Sequence, residues 1–309
     1  MRALVIKSTG SWYKLKIEDG SILNARIKGK IRLKELRVTN PVAVGDFVDY
    51  ELEDSGDVTE GVILNVCKRH NYIIRKSNKL SKHGQIIATN IDMALLIATI
   101  SHPETSLGFI DRFLLMASAF HIPTTIVFNK VDLYSENELA YCNNLSELYS
   151  SLGHPCIKTS LNLAEFEPTK MLNEVIKNKK VLISGHSGVG KSSIINAFLP
   201  NAKQKVDIIN MHFKGKHTTT FAEMFFVDDN TAIIDTPGIR DFGVIDIPQQ
   251  EIAHYFPEMR ALMSKCKFNN CIHLNEPECA VYEAFERNEI APSRYQSYLS
   301  ILDNENMFG

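Results

Sequence analysis

Apolar and polar residues alternate in five short runs over residues 1–68. The segments RALVIK, WYKLKI, ILNARI, VAVGDFVDYEL and GVILNV carry apolar residues at every second position or in short clusters. Gly, Asp, Ser and Pro separate them, which is typical of strands joined by turns. Five short strands in succession predict a small closed β-barrel of the oligonucleotide-binding (OB) type.

The pattern changes in the middle of the chain, where apolar runs alternate with segments of helical periodicity. The runs DMALLIATI, TTIVFN, KVLISG, EMFFV and TAIIDT are apolar enough to be buried strands. GFIDRFLLMASAF, ENELAYCNNLSELYSSL and PTKMLNEVIKN are predicted helices between them. This alternation predicts a doubly wound α/β domain over residues 69–243. The polar, basic stretch at its start, 68–85, is interpreted as a linker or surface arm.

Residues 244–309 predict a third, mainly helical domain around a group of cysteines, ending in the amphipathic segment APSRYQSYLSIL. The whole chain of 309 residues is long enough for three such domains. It has no apolar run long enough to span a membrane, and its N-terminus alternates instead of resembling a signal peptide. We therefore expect a cytoplasmic protein without a membrane partner. The sequence says little about oligomeric state, and a monomer is assumed.

Charge is unevenly distributed although the net charge is only -2. Residues 2–37 hold 10 Lys/Arg and 3 Asp/Glu, and residues 68–82 hold 6 Lys/Arg and no acid. These stretches suit a polyanion such as RNA, with Trp12 and Tyr13 available for base stacking. The alternative is that the charges are solvated strand faces and that the two aromatic residues help to fill the barrel core.

The segment GHSGVGKS at 185–192 matches the phosphate-loop pattern G-x-x-x-x-G-K-[ST] between a predicted strand and a predicted helix. Its glycines let backbone N–H groups turn toward phosphates, and the helix adds its positive end. Lys191 is expected to reach the β- and γ-phosphates, and Ser192 to bind Mg²⁺. We expect nucleotide contacts from the whole loop: Ser184, Gly185, His186, Ser187, Gly188, Val189, Gly190, Lys191, Ser192 and Ser193.

Two further segments complete a phosphate site. IIDTPG at 233–238 is a strand ending in D-x-x-G, so Asp235 is expected to hold Mg²⁺ through water and the Gly238 N–H to contact the γ-phosphate. GKHTTT at 215–220 lies between this strand and the phosphate loop, where a magnesium-binding threonine belongs. Of its three threonines we favour Thr219.

The segment NKVD, comprising Asn129, Lys130, Val131 and Asp132, has the form of a guanine reader. The Asp132 carboxylate would accept hydrogen bonds from N1–H and the 2-amino group, and adenine does not offer this pair of donors. Asn129 is expected to contact the base and brace the phosphate loop, and the Lys130 stem to pack over the base. Backbone groups of Ser160 and Leu161, in KTSLN, are expected to meet guanine O6. Together these segments favour GTP over ATP.

The order of these segments is unusual, because the base reader precedes the phosphate loop. An ordinary small GTPase runs from the phosphate loop through D-x-x-G to N-K-x-D. The same parts in rotated order indicate a circular permutation, which preserves a fold when the original termini lie close together.

The C-terminal cysteines form the pattern C-x₄-C-x-H-x₅-C, made by Cys266, Cys271, His273 and Cys279. Three thiolates and one imidazole at this density predict a structural Zn²⁺ site. Four protein ligands leave no open position, so no catalysis is expected there.

The chain resembles the circularly permuted, ribosome small-subunit-dependent GTPase A family of bacteria. The resemblance rests on PVAVGDFVDY, NKVDL, GHSGVGKSSIIN, GKHTTT, DTPGIRDF and CKFNNCIHLNEPEC, and covers all three regions. It implies a GTPase of late 30S maturation that binds 16S rRNA and is stimulated by that subunit. Two alternatives remain open: an ATP-dependent P-loop enzyme, which NKVD disfavours, and a GTP-switched module for another RNA such as tRNA.

The residue that activates water is the least defined part of the site. Ras-like GTPases orient the attacking water with a glutamine just after D-x-x-G, and this chain has Ile239 there. His217 in GKHTTT is the candidate catalytic residue, since a neutral imidazole can accept a proton from water. The alternative is a solvated loop histidine.

Overall fold

The computed structural model describes residues 1–29, 40–55, 58–76, 84–199, 222–236 and 247–306. Three of the predicted site residues lie outside these ranges, so their expected roles stay predictions: His217, Thr219 and Gly238.

The N-terminal region is a closed barrel of five strands, in which most neighbours pair antiparallel and one pair is parallel. Its strands are β1 (Arg2–Ser8), β2 (Tyr13–Lys16), β3 (Ile22–Ile27), β4 (Phe47–Ser55) and β5 (Val58–Val66). They pair in the order β1-β2-β3-β5-β4, and β4 returns to β1 to close the barrel. Tyr13 lies in the barrel core and is 2% exposed, whereas Trp12 is 47% exposed. The predicted barrel is confirmed, with one of the two aromatic residues inside it.

A two-stranded hairpin follows the barrel, where the sequence predicts a linker or surface arm. Its strands are β6 (Tyr72–Lys76) and β7 (Gly84–Thr89). The interpretation as a linker or arm is wrong for β6, because Ile73 and Ile74 of this strand are buried in hydrophobic clusters. Two adjacent isoleucines are enough to anchor the strand, although charged residues on both sides hide them in the sequence.

The central region is an α/β domain with a mostly parallel sheet. Its strands are β8 (Met93–Ala98), β9 (Thr124–Asn129), β10 (Cys156–Thr159), β11 (Lys180–Ser184), β12 (Glu223–Phe226) and β13 (Ala232–Asp235). They lie in the order β10-β9-β8-β11-β13-β12, and only β12 is antiparallel to its neighbour β13. The helices are α1 (Leu107–Ala119), α2 (Glu136–Ser151), α3 (Pro168–Ile176) and α4 (Lys191–Phe198).

The barrel and the α/β domain share one 11-stranded sheet, because β12 pairs with β1. At this junction the Lys7 ammonium group lies 2.6 Å from a carboxylate oxygen of Glu223. The ammonium group of Lys16 lies 3.6 Å from the centre of the Phe226 ring.

The barrel is also tied to the hairpin by the segment PVAVGD. The Asp46 carboxylate is buried and accepts two hydrogen bonds from Arg69 and one from the Thr89 hydroxyl. Gly45 has φ +94°, and a Cβ there would lie 2.1 Å from the Thr89 carbonyl oxygen. Only glycine permits so close a backbone approach, which explains this residue in the turn before β4.

The C-terminal region is helical around the cysteine group, as predicted. Its helices are α5 (Gln249–Ile252), α6 (Pro257–Arg260), α7 (Ala280–Glu286) and α8 (Pro292–Asn306). Their shared core includes Leu115 and Met116 of α1, so this region packs directly on the α/β domain. Among the described helices, none combines the length and the hydropathy required to cross a lipid bilayer.

Candidate nucleotide site and metal cluster

The phosphate-loop segment joins β11 to α4 in a conformation that requires glycine. Gly185, Gly188 and Gly190 all have positive φ. A Cβ on Gly185 would lie 2.2 Å from the Ile97 carbonyl oxygen, and one on Gly190 would lie 2.3 Å from Asn129 Nδ2. The loop therefore fits against the ends of β8 and β9 only because these positions lack side chains.

Asn129, the first residue of NKVD, connects this loop to the base-reading segments. Its Nδ2 donates to the Val189 carbonyl oxygen at 2.8 Å, and its Oδ1 accepts from the Thr159 hydroxyl at 2.9 Å. The Tyr134 hydroxyl donates to the Asn129 carbonyl oxygen at 2.7 Å. These contacts fix the amide with its N–H toward the loop, which is the bracing role predicted for Asn129.

Lys191 begins α4 with its side chain folded back over the loop. Its Nζ donates to the carbonyl oxygens of Gly185 and His186, at 2.7 and 2.6 Å. Burial lowers the pKa of Lys191, and the charge of Asp235 opposes this shift. The two bonds hold the ammonium group at the phosphate-loop backbone.

Asp235 ends β13 and is fully buried beside the loop. Its backbone lies opposite Ile183 of β11 in the parallel ladder, so it is at the same end of the sheet as Lys191. Ser192 lies in the first turn of α4. The structure thus brings two of the predicted magnesium residues, Ser192 and Asp235, to one edge of the sheet.

Asp132 faces the segment that follows β10. Its Oδ1 accepts from the Ser160 hydroxyl at 2.6 Å, and its Oδ2 accepts from Asn162 Nδ2 at 2.6 Å. Burial alone would raise the pKa of Asp132, but the hydrogen bonds from Ser160 and Asn162 outweigh it and lower the pKa. Asp132 is therefore a carboxylate at neutral pH, the form that accepts two donors from a base.

The remaining base-segment residues take different positions. Lys130 has φ +64° and donates from Nζ to the His102 carbonyl oxygen at 2.7 Å. Val131 is buried, whereas Leu161 is 50% exposed. Ser160 is fully buried beneath Asp132.

The loop between β8 and α1 was not predicted as part of the site. This loop contacts both NKVD and the phosphate loop: Lys130 bonds to His102, and a Cβ on Gly188 would lie 3.4 Å from Pro103 Cδ. The His186 ring packs against Phe109 of α1 with centroids 3.8 Å apart and the ring planes tilted by 33°. No motif marks these residues, and only the parallel order of β9, β8 and β11 indicates that the loop lies between them.

The cysteine group forms a compact cluster. The ligand atoms of Cys266, Cys271, His273 and Cys279 all lie within 4.8 Å of one another. His273 Nδ1 is 3.6 Å from Cys266 Sγ and 3.4 Å from Cys279 Sγ. In a tetrahedral zinc site, sulfur and nitrogen ligands lie about 3.5 Å apart, so these two distances are compatible with a Zn²⁺ ion.

The chemistry of the cluster also fits a cation. Burial raises the pKa of the Cys271 thiol to about 12 and also raises that of Cys279. Thiolates would therefore be costly here unless a cation neutralised them. Burial lowers the pKa of His273, which favours the neutral imidazole that binds metals. The hydroxyls of Tyr295 and Tyr298 bond to carbonyl oxygens of His273 and Ile272, and fix the segment that carries two of the ligands.

Two family models match the chain. The model described as RsgA GTPase matches residues 66–245, and the model described as RsgA N-terminal domain matches residues 3–63.

Full-length relatives have names that agree with these matches. "Small ribosomal subunit biogenesis GTPase RsgA 2" of Bacteroides thetaiotaomicron is 49% identical over 306 residues, covering 99% of this chain and 97% of that protein. "Small ribosomal subunit biogenesis GTPase RsgA" of Bacteroides fragilis is also 49% identical, with the same coverage.

Solved structures share the fold. YjeQ from Thermotoga maritima has a TM-score of 0.76 and 34% identity, covering 98% of this chain and 97% of that one. YloQ, described as a circularly permuted GTPase, has a TM-score of 0.70 and 24% identity, covering 98% and 94%. At the latter identity the likeness is one of fold.

Proposed function

Because this chain belongs to the RsgA GTPase family, we propose that it hydrolyses GTP during maturation of the small ribosomal subunit. Nucleotide binding is supported by the hydrogen bond from Asn129 to the Val189 carbonyl oxygen, which joins the base-reading segment to the phosphate loop. The two motifs are far apart in the sequence, and a single nucleotide would contact both of them.

The preference for GTP over ATP rests on Asp132. Its carboxylate, ionised and held by Ser160 and Asn162, would accept N1–H and the 2-amino group of guanine. Adenine has no 2-amino group, and its N1 is an acceptor without a proton. Adenine would therefore donate no hydrogen bond to the carboxylate from these two positions. Calorimetry with GTP and ATP tests this step, and equal affinities would exclude the proposed base reading.

Mg²⁺ would bind with the nucleotide. The phosphates would lie in the loop from Ser184 to Ser193, with Lys191 on their outer oxygens. Ser192 and Asp235 supply the oxygen ligands that Mg²⁺ prefers, directly or through water. Thr219 and Gly238 would complete the phosphate contacts, and His217 would accept the proton from the attacking water.

The zinc cluster would be structural. Cys266, Cys271, His273 and Cys279 would hold one Zn²⁺ and occupy all four positions of the tetrahedron. The ion would stabilise the helical region that packs on α1, and it would take no part in hydrolysis.

The partner would be the small subunit and its 16S rRNA. Names of the relatives support this assignment, and the barrel surface supplies a physical reason. Lys7 and Lys14 lie opposite each other on β1 and β2, where like charges repel. Glu223 neutralises Lys7, but Lys14 is exposed, and so is Trp12 two residues earlier in the chain. An exposed cation and an exposed aromatic ring on one surface suit RNA phosphates and bases.

We further propose three functional units with boundaries at 1–68, 69–243 and 244–309. The closed barrel and the helical cluster support the outer two. The hairpin β6–β7 lies next to the first boundary, and the Thr89 hydroxyl at its end donates to Asp46 of the barrel, so this boundary marks a packed junction.

Co-sedimentation with isolated ribosomal subunits tests the proposed partner. We expect retention on small subunits with a non-hydrolysable GTP analogue and release with GDP. Equal binding to large subunits, or a stronger nucleotide-dependent interaction with tRNA, would contradict the assignment. A Trp12→Ala/Lys14→Ala double variant should weaken retention without changing GTP affinity, since neither residue is among the proposed nucleotide contacts.

A further inference from the structure

Both oxygens of the base-reading carboxylate receive a hydrogen bond from the same short segment. Ser160 donates to Asp132 Oδ1, and Asn162 donates to Asp132 Oδ2, each at 2.6 Å. The Asn162 backbone N–H in turn donates to Ser160 Oγ at 3.0 Å. The three residues therefore form a closed hydrogen-bonded ring.

The two donors have different surroundings. Ser160 is fully buried, so its hydroxyl belongs to the floor of the site. Asn162 is exposed and fills no part of the described core clusters. Its side chain donates a hydrogen bond to Asp132, and we expect its contribution to the site to come from that bond.

A carboxylate offers about four lone-pair sites on its two oxygens. Ser160 and Asn162 take one site on each oxygen of Asp132, and guanine would take another site on each. Guanine has two adjacent donors, N1–H and the 2-amino group, and needs one site on each oxygen. A two-point contact of this kind also requires the carboxylate to be coplanar with the base.

We propose that Asn162 is a positioning residue for guanine recognition, which together with Ser160 holds the Asp132 carboxylate in the plane that a two-donor base requires. This inference rests on the proposed GTP function. Without Asn162, one oxygen keeps its Ser160 bond and the carboxylate can rotate about it. A base with a single donor tolerates that rotation, but a base with two donors does not.

Inosine triphosphate provides the discriminating ligand, because it keeps N1–H and lacks the 2-amino group. Affinities for GTP and inosine triphosphate are measured by calorimetry for the wild type, Asn162→Ala and Asn162→Asp. The aspartate variant keeps the size of the side chain and replaces its donor with an acceptor. Asn173→Ala, an exposed asparagine on α3, is the matched control.

We expect the ratio of GTP to inosine triphosphate affinity to fall about three- to tenfold in Asn162→Ala, the size of one ordinary hydrogen bond, since Asn162 acts on the base only through Asp132. It should fall further in Asn162→Asp, since two carboxylates then repel each other, and stay unchanged in Asn173→Ala. An unchanged or higher ratio in either Asn162 variant overturns the proposal. An equal loss of both affinities also overturns it, because that is damage to the pocket.

The wild-type data separate this inference from the proposed function. A wild-type protein that binds ATP as tightly as GTP would contradict the GTP function itself. A wild type that selects GTP, with Asn162 variants that select it equally well, would contradict only the role of Asn162.

Discussion

Asn129 illustrates which contacts of the site can be predicted from the sequence and which depend on the fold. The motif NKVD predicts that Asn129 braces the phosphate loop, and its Nδ2 lies 2.8 Å from the Val189 carbonyl oxygen. Thr159, which orients the same amide, was not predicted, because its bond crosses from β10 to β9. Sequence motifs describe residues at short, fixed spacing, so they do not predict a bond between two strands whose residues are 30 positions apart.

Asp132→Asn should change the base that the site selects. The variant replaces one acceptor oxygen with an N–H donor, which opposes the 2-amino group of guanine and matches the 2-carbonyl group of xanthine. We expect GTP affinity to fall about 100-fold, the loss of charge-assisted pairing at two positions, and xanthosine triphosphate to become the better ligand. Competition binding with both nucleotides measures the change. Retained GTP selectivity would remove Asp132 from the base site.

Strands with continuous apolar runs such as β9 and β11 were predicted correctly, whereas β6, β7 and β10 were not predicted. TTIVFN and KVLIS coincide with β9 and β11, which are covered on both faces. Cys156–Thr159 and Tyr72–Lys76 are half polar, because the first lies at the edge of its sheet and the second in a two-stranded hairpin. Their pairing partners decide their structure, and these partners are specified elsewhere in the chain.

Gly190→Ala should disable the phosphate loop. The new Cβ would lie 2.3 Å from Asn129 Nδ2 and displace the side chain that holds Val189. The backbone at φ +99° adds a strain of about 1–2 kcal/mol for any residue with a Cβ. We expect a lower melting temperature and loss of measurable GTP binding by calorimetry.

Gly153→Ala is the control that separates these two effects. Gly153 has φ +87°, and a Cβ there would meet nothing within 4 Å. This variant should show the backbone strain as a small loss of stability and keep GTP affinity. If both variants bind GTP equally well, contact with Asn129 does not limit the loop.

The whole chain is organised around α1, which contacts both the phosphate loop and the C-terminal region. Phe109 near its start packs against the His186 ring, and Asp111 two residues later accepts a hydrogen bond from Arg294 of α8. The circular permutation places the helical region directly after the D-x-x-G strand in the chain. The C-terminal region is thus joined to the nucleotide domain both covalently and through α1, which no sequence motif indicates.

Cys271→Ser should remove the metal and loosen this region. Metal binding to such a cluster is coupled to local folding. We expect zinc content, measured by plasma mass spectrometry, to fall well below one per chain, with faster amide exchange in α7 and α8. Cys67→Ser, a cysteine outside the cluster, should change neither quantity. A wild-type protein purified without chelators that is metal-free and fully folded would contradict the zinc assignment.

Arg294→Ala should separate the C-terminal region from α1. Arg294 is 2% exposed, pairs with Asp111 and Glu258, and has its guanidinium carbon 4.5 Å from the centre of the Phe256 ring. Burial alone would lower the pKa of Arg294, but the two carboxylates hold it above its ordinary value. Removing the cation leaves two poorly solvated carboxylates, which destabilises the region by about 3–5 kcal/mol. Amide exchange should therefore accelerate in α8 and at its contact with α1. Arg287→Ala, an exposed arginine of the same region, should change exchange little. Equal exchange in both variants would show that apolar packing alone holds the two regions together.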